Sequence, residues 1–184
     1  LRTAAERMLF VKFLNAGQIC TTVDHAWLPP QRIDEFVKLA CEIVPKRYPR
    51  LDSPDYTSII DERSFDRLLH ALEDARERGA TLVQLVPGPA HDRATRKIAP
   101  HIVLNASDDS LLMQREIFGP ILPLRGYDSL DALIARINAG PRPLAVYPFS
   151  RDKAKVQKVL DQVMSGGVSV NDALVMAAWG KDLG

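Results

Sequence analysis

Between residues 120 and 171 the chain switches back and forth between two apolar periodicities, and this alternation limits the fold more than any other feature. Residues 120–125 read as a strand. Leu130, Leu133, Ile134 and Ile137 then recur at helical spacing until Gly140-Pro141 stops them. Residues 144–149 read as a second strand, Val156, Val159, Leu160 and Val163 as a helix capped by Ser150, and residues 167–171 as a third strand. Strand, helix, strand, helix, strand requires right-handed crossovers, so the expected class is α/β: a mostly parallel sheet with helices on both faces.

The first part of the chain supplies the covering helices. Phe65, Leu68, Leu69, Leu72 and Ala75 form the clearest apolar face, with Asp61 as its cap and Gly79 as its stop. Ile33, Phe36, Val37, Ala40 and Val44 predict a helix over 31–46 ended by Pro45 and Pro49, and Cys41 beside that stripe reads as a core thiol. Residues 21–28 predict a short strand closed by Pro29-Pro30, and residues 81–86 another. A further strand over 98–104 has Pro100 placing it at an edge or a bulge. The polar stretch 91–97 reads as a surface loop, and His101 as solvent-facing or as a hydrogen-bonded core residue. Asp108-Asp109 has no third ligand at metal spacing, so it reads as a helix cap or a solvated turn.

Composition removes several classes of function. The 24 Lys and Arg residues balance 23 Asp and Glu, with the signs interspersed, so no field gathers nucleic acid. No apolar run reaches the roughly 18 residues needed to span a bilayer, and no signal peptide is evident, so a cytoplasmic location is expected. Two cysteines far apart, without a Cys-x-x-Cys or His-rich segment, fit neither a disulfide scaffold nor structural zinc. A chain of 184 residues suits one domain, which buries roughly 70% of the surface its unfolded form exposes. Leu1 in place of Met, on helix-like sequence without a cap, predicts a piece of something longer.

Chemistry is concentrated in Asn15-Ala16-Gly17-Gln18-Ile19-Cys20. Ala4, Ala5, Met8, Leu9, Val11, Phe13 and Leu14 predict a buried helix, which Asn15 and Gly17 end because both tolerate left-handed backbone. A thiol on the turn after such a helix is placed to meet a cleft, with backbone N–H groups near enough to stabilise a thiolate or an oxyanion. A lone cysteine is more often a small buried hydrophobe. His25 is a poor base for it unless the chain folds back, since five residues along an extended strand lie on opposite faces and more than ~15 Å apart.

The surrounding words change the reading of Cys20. The segment from Phe13 through Cys20 resembles the catalytic-cysteine signature of the aldehyde dehydrogenase superfamily, and Gln114-Arg115-Glu116-Ile117-Phe118-Gly119-Pro120-Ile121 resembles its second signature. The likeness continues through Tyr56-Thr57-Ser58-Ile59-Ile60, Lys97-Ile98-Ala99-Pro100, Arg142-Pro143-Leu144-Ala145 and Gly166-Gly167-Val168-Ser169-Val170-Asn171, and is greatest to the coniferyl aldehyde dehydrogenase branch. The resemblance implies a fold of the family's catalytic-domain type. It implies that Cys20 is the nucleophile, that its own N–H helps hold the oxyanion, and that a thioester forms which water then hydrolyses. By the same resemblance Glu116 accepts hydrogen bonds from the nicotinamide ribose and Phe118 packs near the nicotinamide, so the cofactor is NAD or NADP. A carboxylate suits ribose hydroxyls and an aromatic ring supplies a flat apolar wall. The expected partners are a small-molecule aldehyde and further copies in a homo-oligomer, with no nucleic acid, no membrane and no metal.

Departures from the family pattern carry as much information. The family's nucleotide-binding domain, its carboxylate base for deacylation and its oxyanion-holding asparagine all stand upstream of the cysteine, and only 19 residues precede Cys20. The family's proline-phenylalanine-glycine-glycine segment is missing after Asn171-Asp172. Residues 1–184 therefore read as a single catalytic domain, with the cofactor bound mainly by the missing half. Two alternatives follow for the isolated chain: a catalytically silent folding or assembly module, or a weak thiol esterase.

Overall fold

The computed structural model describes residues 1–174. Its framework is a four-stranded sheet built from β1 (Ala26–Leu28), β2 (Thr81–Gln84), β5 (His101–Leu104) and β6 (Ile121–Gly126), in the order β1-β6-β5-β2. The two central strands run parallel, with His101 opposite Ile121 and Leu104 opposite Leu124. Strand β1 joins β6 in parallel and β2 joins β5 antiparallel, so the sheet is mostly parallel. Residues 101–103 and 121–124 are all buried without alternation, the pattern of strands covered on both faces. Pro100 sits just before β5 and so removes no donor from the ladder, although β5 is central rather than at an edge.

The helices form where apolar spacing and caps coincide. Helix α3 (Glu62–Glu77) begins at Asp61, whose Oδ1 accepts the Ser64 N–H at 2.7 Å, and it buries Phe65, Leu68, Ala71, Leu72 and Ala75. Each of its large side chains contributes about 1.5–3 kcal/mol by leaving water. Helix α2 (Ile33–Arg47) runs two residues past Pro45, because the Tyr48 N–H still reaches the Val44 carbonyl at 2.9 Å. Cys41 is exposed, which corrects its reading as a core thiol. The buried residues of α2 are Phe36, Leu39, Ala40 and Val44, and a residue one step past Ala40 turns about 100° away from that stripe.

Helix α1 (Arg2–Phe13) is not buried all round. Ala5, Met8, Leu9, Val11, Lys12 and Phe13 face inward, while Glu6, Arg7 and Phe10 remain exposed. The core it joins includes Tyr56, whose hydroxyl donates to the Ile98 carbonyl at 2.6 Å and whose pKa is raised by burial. His101 is a hydrogen-bonded core residue: its ring nitrogen lies 2.6 Å from the Ala99 carbonyl, and burial lowers its pKa.

Several elements differ from expectation for identifiable reasons. Residues 91–98 are not a plain loop but a hairpin of β3 (His91–Asp92) with β4 (Lys97–Ile98). After the single-turn α4 (Leu111–Gln114), helix α5 (Leu130–Ala139) is capped by Ser129, and helix α6 (Lys153–Gln162) by Asp152 rather than Ser150; the Asp152 Oδ1 accepts from the Ala154 and Lys155 N–H groups at 3.0 and 3.2 Å. Strands β7 (Ala145–Val146) and β8 (Gly167–Val168) pair in parallel across α6 as expected, yet each is only two residues long. They stand apart from the main sheet, so each has hydrogen-bond partners on one side only. Asp108 and Asp109 lie in an exposed turn, as expected, and from it Asp108 pairs with Arg125 of β6 and Arg136 of α5, whose guanidinium groups lie over the Trp27 ring at 4.9 and 5.1 Å.

Candidate active site

After α1 the backbone makes a tight left-handed bend. Asn15, Ala16 and Gly17 have φ of 51°, 50° and 74°, and for Ala16 this is a strained conformation that the packing must impose. Polar side chains hold the bend shut. The Asn15 amide donates to the Gln18 carbonyl at 3.1 Å, and the Gln18 amide donates to Asn15 and Ser58 carbonyls, both at 3.0 Å. The Gln18 Oε1 accepts the Ile60 N–H at 2.9 Å, which ties the bend to the chain entering α3.

A turn from Ile19 to Thr22 follows, closed by the Thr22 N–H on the Ile19 carbonyl at 3.0 Å, and it leaves Cys20 exposed. The chain is therefore not extended through Thr21 and Thr22, and β1 begins only at Ala26. His25 engages Asp24, with its Nδ1 3.6 Å from the carboxylate, and not the thiol. Among the described residues the Cys20 N–H donates to no acceptor. Beside it, Tyr147 donates to the Thr21 carbonyl at 2.6 Å; burial raises the Tyr147 pKa, and a charge on Cys20 acts on the phenol in the same direction.

The second signature meets the first directly. A Cβ built on Gly17 would stand 2.2 Å from the Gly119 carbonyl oxygen, so only glycine fits there. Gly119 in turn is pressed against Leu68 of α3, 2.5 Å from where its own Cβ would be. Between them Ile117 is held at both backbone groups: its N–H donates to Asp24 Oδ1 at 2.9 Å, and its carbonyl accepts from Arg67 at 2.7 Å. Phe118 has φ of 48°, a second strained residue in this junction, and is half-buried. Glu116 is exposed, and among the described residues its carboxylate takes part in no hydrogen bond or ion pair. Both its oxygens are thus open to hydroxyl donors, which fits a ribose.

Charge in the junction is carried by three residues absent from the site read from sequence, Lys12, Asp24 and Arg67. Burial pushes the Asp24 carboxyl upward, but the neighbouring His25 ring, the charge of Lys12 and the Ile117 N–H outweigh it, and the net shift is downward. Burial lowers the Arg67 pKa, as does the charge of Arg115. Lys12 is fully buried with its Nζ unpartnered, and desolvation lowers its pKa to about 8 against the opposing pull of Asp24 and Glu116. A lysine between Val11 and Phe13 on an inward helix face was the available signal. Asp24, Arg67 and Tyr147 left none, since they reach the site across 93, 50 and 126 residues of sequence.

No group of three or more His, Cys, Asp or Glu residues capable of holding a metal occurs among the described residues, and no helix there is long and apolar enough to cross a membrane. Two cavities, of about 350 and 440 Å³, lie along α1, and neither is lined by Cys20, Glu116 or Phe118.

The profile of the aldehyde dehydrogenase family matches residues 1–181. A probable coniferyl aldehyde dehydrogenase of Pseudomonas aeruginosa is 48% identical over 97% of this chain and 37% of its own length. A coniferyl aldehyde dehydrogenase of a Pseudomonas species is 44% identical over 92% of this chain and 36% of its own. The substrate-bound structure of Staphylococcus aureus AldH superposes with a TM-score of 0.89 at 35% identity, covering 96% of this chain and 38% of that one. The chain thus spans well under half the length of the relatives it matches.

Proposed function

This chain belongs to the aldehyde dehydrogenase family, and from that premise we propose that residues 1–184 are the catalytic domain of an enzyme oxidising an aldehyde to its carboxylic acid with NAD or NADP. One observation carries the reading: Gly17 lies against the Gly119 carbonyl, so the segment bearing Cys20 and the segment bearing Glu116 and Phe118 form a single junction.

The chemistry follows from what each group there can do. The Cys20 thiolate adds to the carbonyl carbon, and the new oxyanion is met by the free Cys20 N–H. Collapse of that adduct expels a hydride from the former aldehyde carbon and leaves a thioester on Cys20, which water cleaves to the acid and the free thiol. The bound nicotinamide supplies the two-electron acceptor. Glu116 accepts from the ribose hydroxyls, and Phe118, locked in its left-handed conformation, presents the apolar wall. Tyr147 fixes the turn carrying the thiol through Thr21. The names of the two Pseudomonas relatives support an aromatic aldehyde of the coniferyl type as substrate.

The chain spans 37% of the length of its Pseudomonas aeruginosa relative, and the isolated 184 residues are expected to be catalytically silent. Tight NAD binding by these 184 residues alone, measured by calorimetry, would contradict that part. The central test is Cys20→Ala in the full-length enzyme with coniferyl aldehyde, following NAD(P)H absorbance. Turnover should fall by at least about a thousandfold, as for loss of a covalent nucleophile. Undiminished turnover refutes the proposal.

A further inference from the structure

Lys12 is a buried charge that the fold does not need. Its side chain is fully buried in α1, its Nζ makes no hydrogen bond, and no carboxylate comes within ion-pair distance of it among the described residues. A methionine or leucine would fill the same space without desolvating an ammonium. Its position is equally specific. The Lys12 carbonyl lies 3.1 Å from the point where a Gly17 Cβ would stand, the same point that is 2.2 Å from the Gly119 oxygen. The Lys12 backbone therefore borders the contact between the two signature segments, while its side chain runs into the buried interior.

The charges that act on it come from both sides of that contact. Asp24, with His25 alongside, belongs to the stretch between the Cys20 turn and β1, and Glu116 to the segment before Gly119. The charge of Arg67 of α3, itself under the influence of Arg115, acts on the same two carboxylates. Asp24 is the acceptor for the Ile117 N–H, and Ile117 lies between Glu116 and Phe118.

We propose that Lys12 is a positioning residue for the cofactor: its buried ammonium supplies the countercharge that holds Asp24 on Ile117 and keeps Glu116 turned toward the ribose. This rests on the reading of Glu116 and Phe118 as the cofactor seat. Lys12 touches neither substrate nor cofactor; it acts through the two carboxylates. Because burial brings its pKa to about 8, the countercharge is present at neutral pH and is withdrawn on the alkaline side. Cofactor binding should weaken across the same interval.

The test uses the full-length enzyme and NAD(P) titrations from pH 6.5 to 10. Lys12→Met should raise the KM for the cofactor roughly tenfold to a hundredfold at neutral pH, the usual penalty when a supporting group is lost and a contact shifts. The native enzyme should show a rise in cofactor KM above about pH 8, and Lys12→Met should abolish it. If Lys12→Met does not fold, Asp24→Asn, which keeps the lysine and weakens the Ile117 clamp, should raise the cofactor KM in its place. Glu116→Gln separates the two levels of inference. If Glu116→Gln raises the cofactor KM while Lys12→Met and Asp24→Asn leave it and its pH profile unchanged, the role of Lys12 is refuted and the seat stands. If Glu116→Gln has no effect, the seat is refuted and the role of Lys12 with it.

Discussion

Gly17 and Gly119, 102 residues apart, are in backbone contact: a methyl group on Gly17 would stand 2.2 Å from the Gly119 carbonyl oxygen. Gly17 also has φ of 74°, so alanine there meets both a rigid neighbour and an unfavourable backbone region. Gly17→Ala is expected to lower stability by about 2–5 kcal/mol, combining left-handed strain with overpacking. Gly79 is the control. Its φ is 89° but nothing lies within 4 Å of its missing Cβ, so Gly79→Ala should cost only about 1–2 kcal/mol. Urea denaturation of the two variants measures the difference. Equal losses would show that the backbone contact at Gly17 adds nothing to the conformational strain.

Asp24 accepts the N–H of Ile117, whose side chain is buried, and no second acceptor serves that group among the described residues. Asp24→Ala is expected to cost about 1–3 kcal/mol, the penalty of a buried donor left unpaired. The pH dependence has a definite sign. The folded pKa of Asp24 is depressed, so its contribution to stability is complete above the unfolded value of about 4 and is lost as pH falls through the lower folded value. Acid unfolding followed by circular dichroism should therefore show a shallower loss of stability on acidification in Asp24→Ala than in the native chain.

Local signals in the sequence were reliable where one element decides its own structure. Asp61 caps α3, the Phe65–Leu68–Leu72 face is buried, and Asn15 and Gly17 end α1 in left-handed backbone. The β7-α6-β8 order survives with its parallel pairing, although the strands are shortened to two residues because neither adjoins the main sheet. Relations between elements were not legible. Periodicity placed Cys41 beside an apolar stripe but could not tell which side of that stripe the core lay on. The clamp on Ile117 needs Asp24 and Arg67 to converge from different parts of the chain, and nothing local marks either residue. Lys12 was in plain view on an inward helix face, yet its meaning depends on carboxylates 12 and 104 positions away.

Tyr147 donates to the Thr21 carbonyl at 2.6 Å, one residue past the thiol. Tyr147→Phe removes that bond and should cost about 1 kcal/mol of stability. Its larger effect should fall on the turn itself. With Thr21 released, Cys20 loses a fixed orientation toward the carbonyl, so kcat for aldehyde oxidation should drop several-fold while the cofactor KM stays within about twofold. Steady-state kinetics in both substrates separates the two parameters. A change confined to the cofactor KM would assign Tyr147 to the nucleotide rather than to the thiol.

Lys12 makes a prediction about stability opposite in sign to its proposed role in function. Its folded pKa of about 8 lies below the ordinary lysine value, so between roughly pH 8 and 10.5 the unfolded chain binds more protons than the folded one. Stability from this group therefore rises with pH across that window, and the full penalty is present below it. A shift of this size corresponds to about 3 kcal/mol. Lys12→Met, which keeps the volume and removes the charge, is expected to be more stable than the native chain at pH 7 by up to about that amount, with the advantage shrinking toward pH 10. Denaturant titrations of both proteins at pH 7 and 10 measure it. A residue kept for packing alone would give no gain at pH 7 and no convergence at pH 10, so stabilisation combined with weaker cofactor binding is the result that identifies a charge retained for the junction it supports.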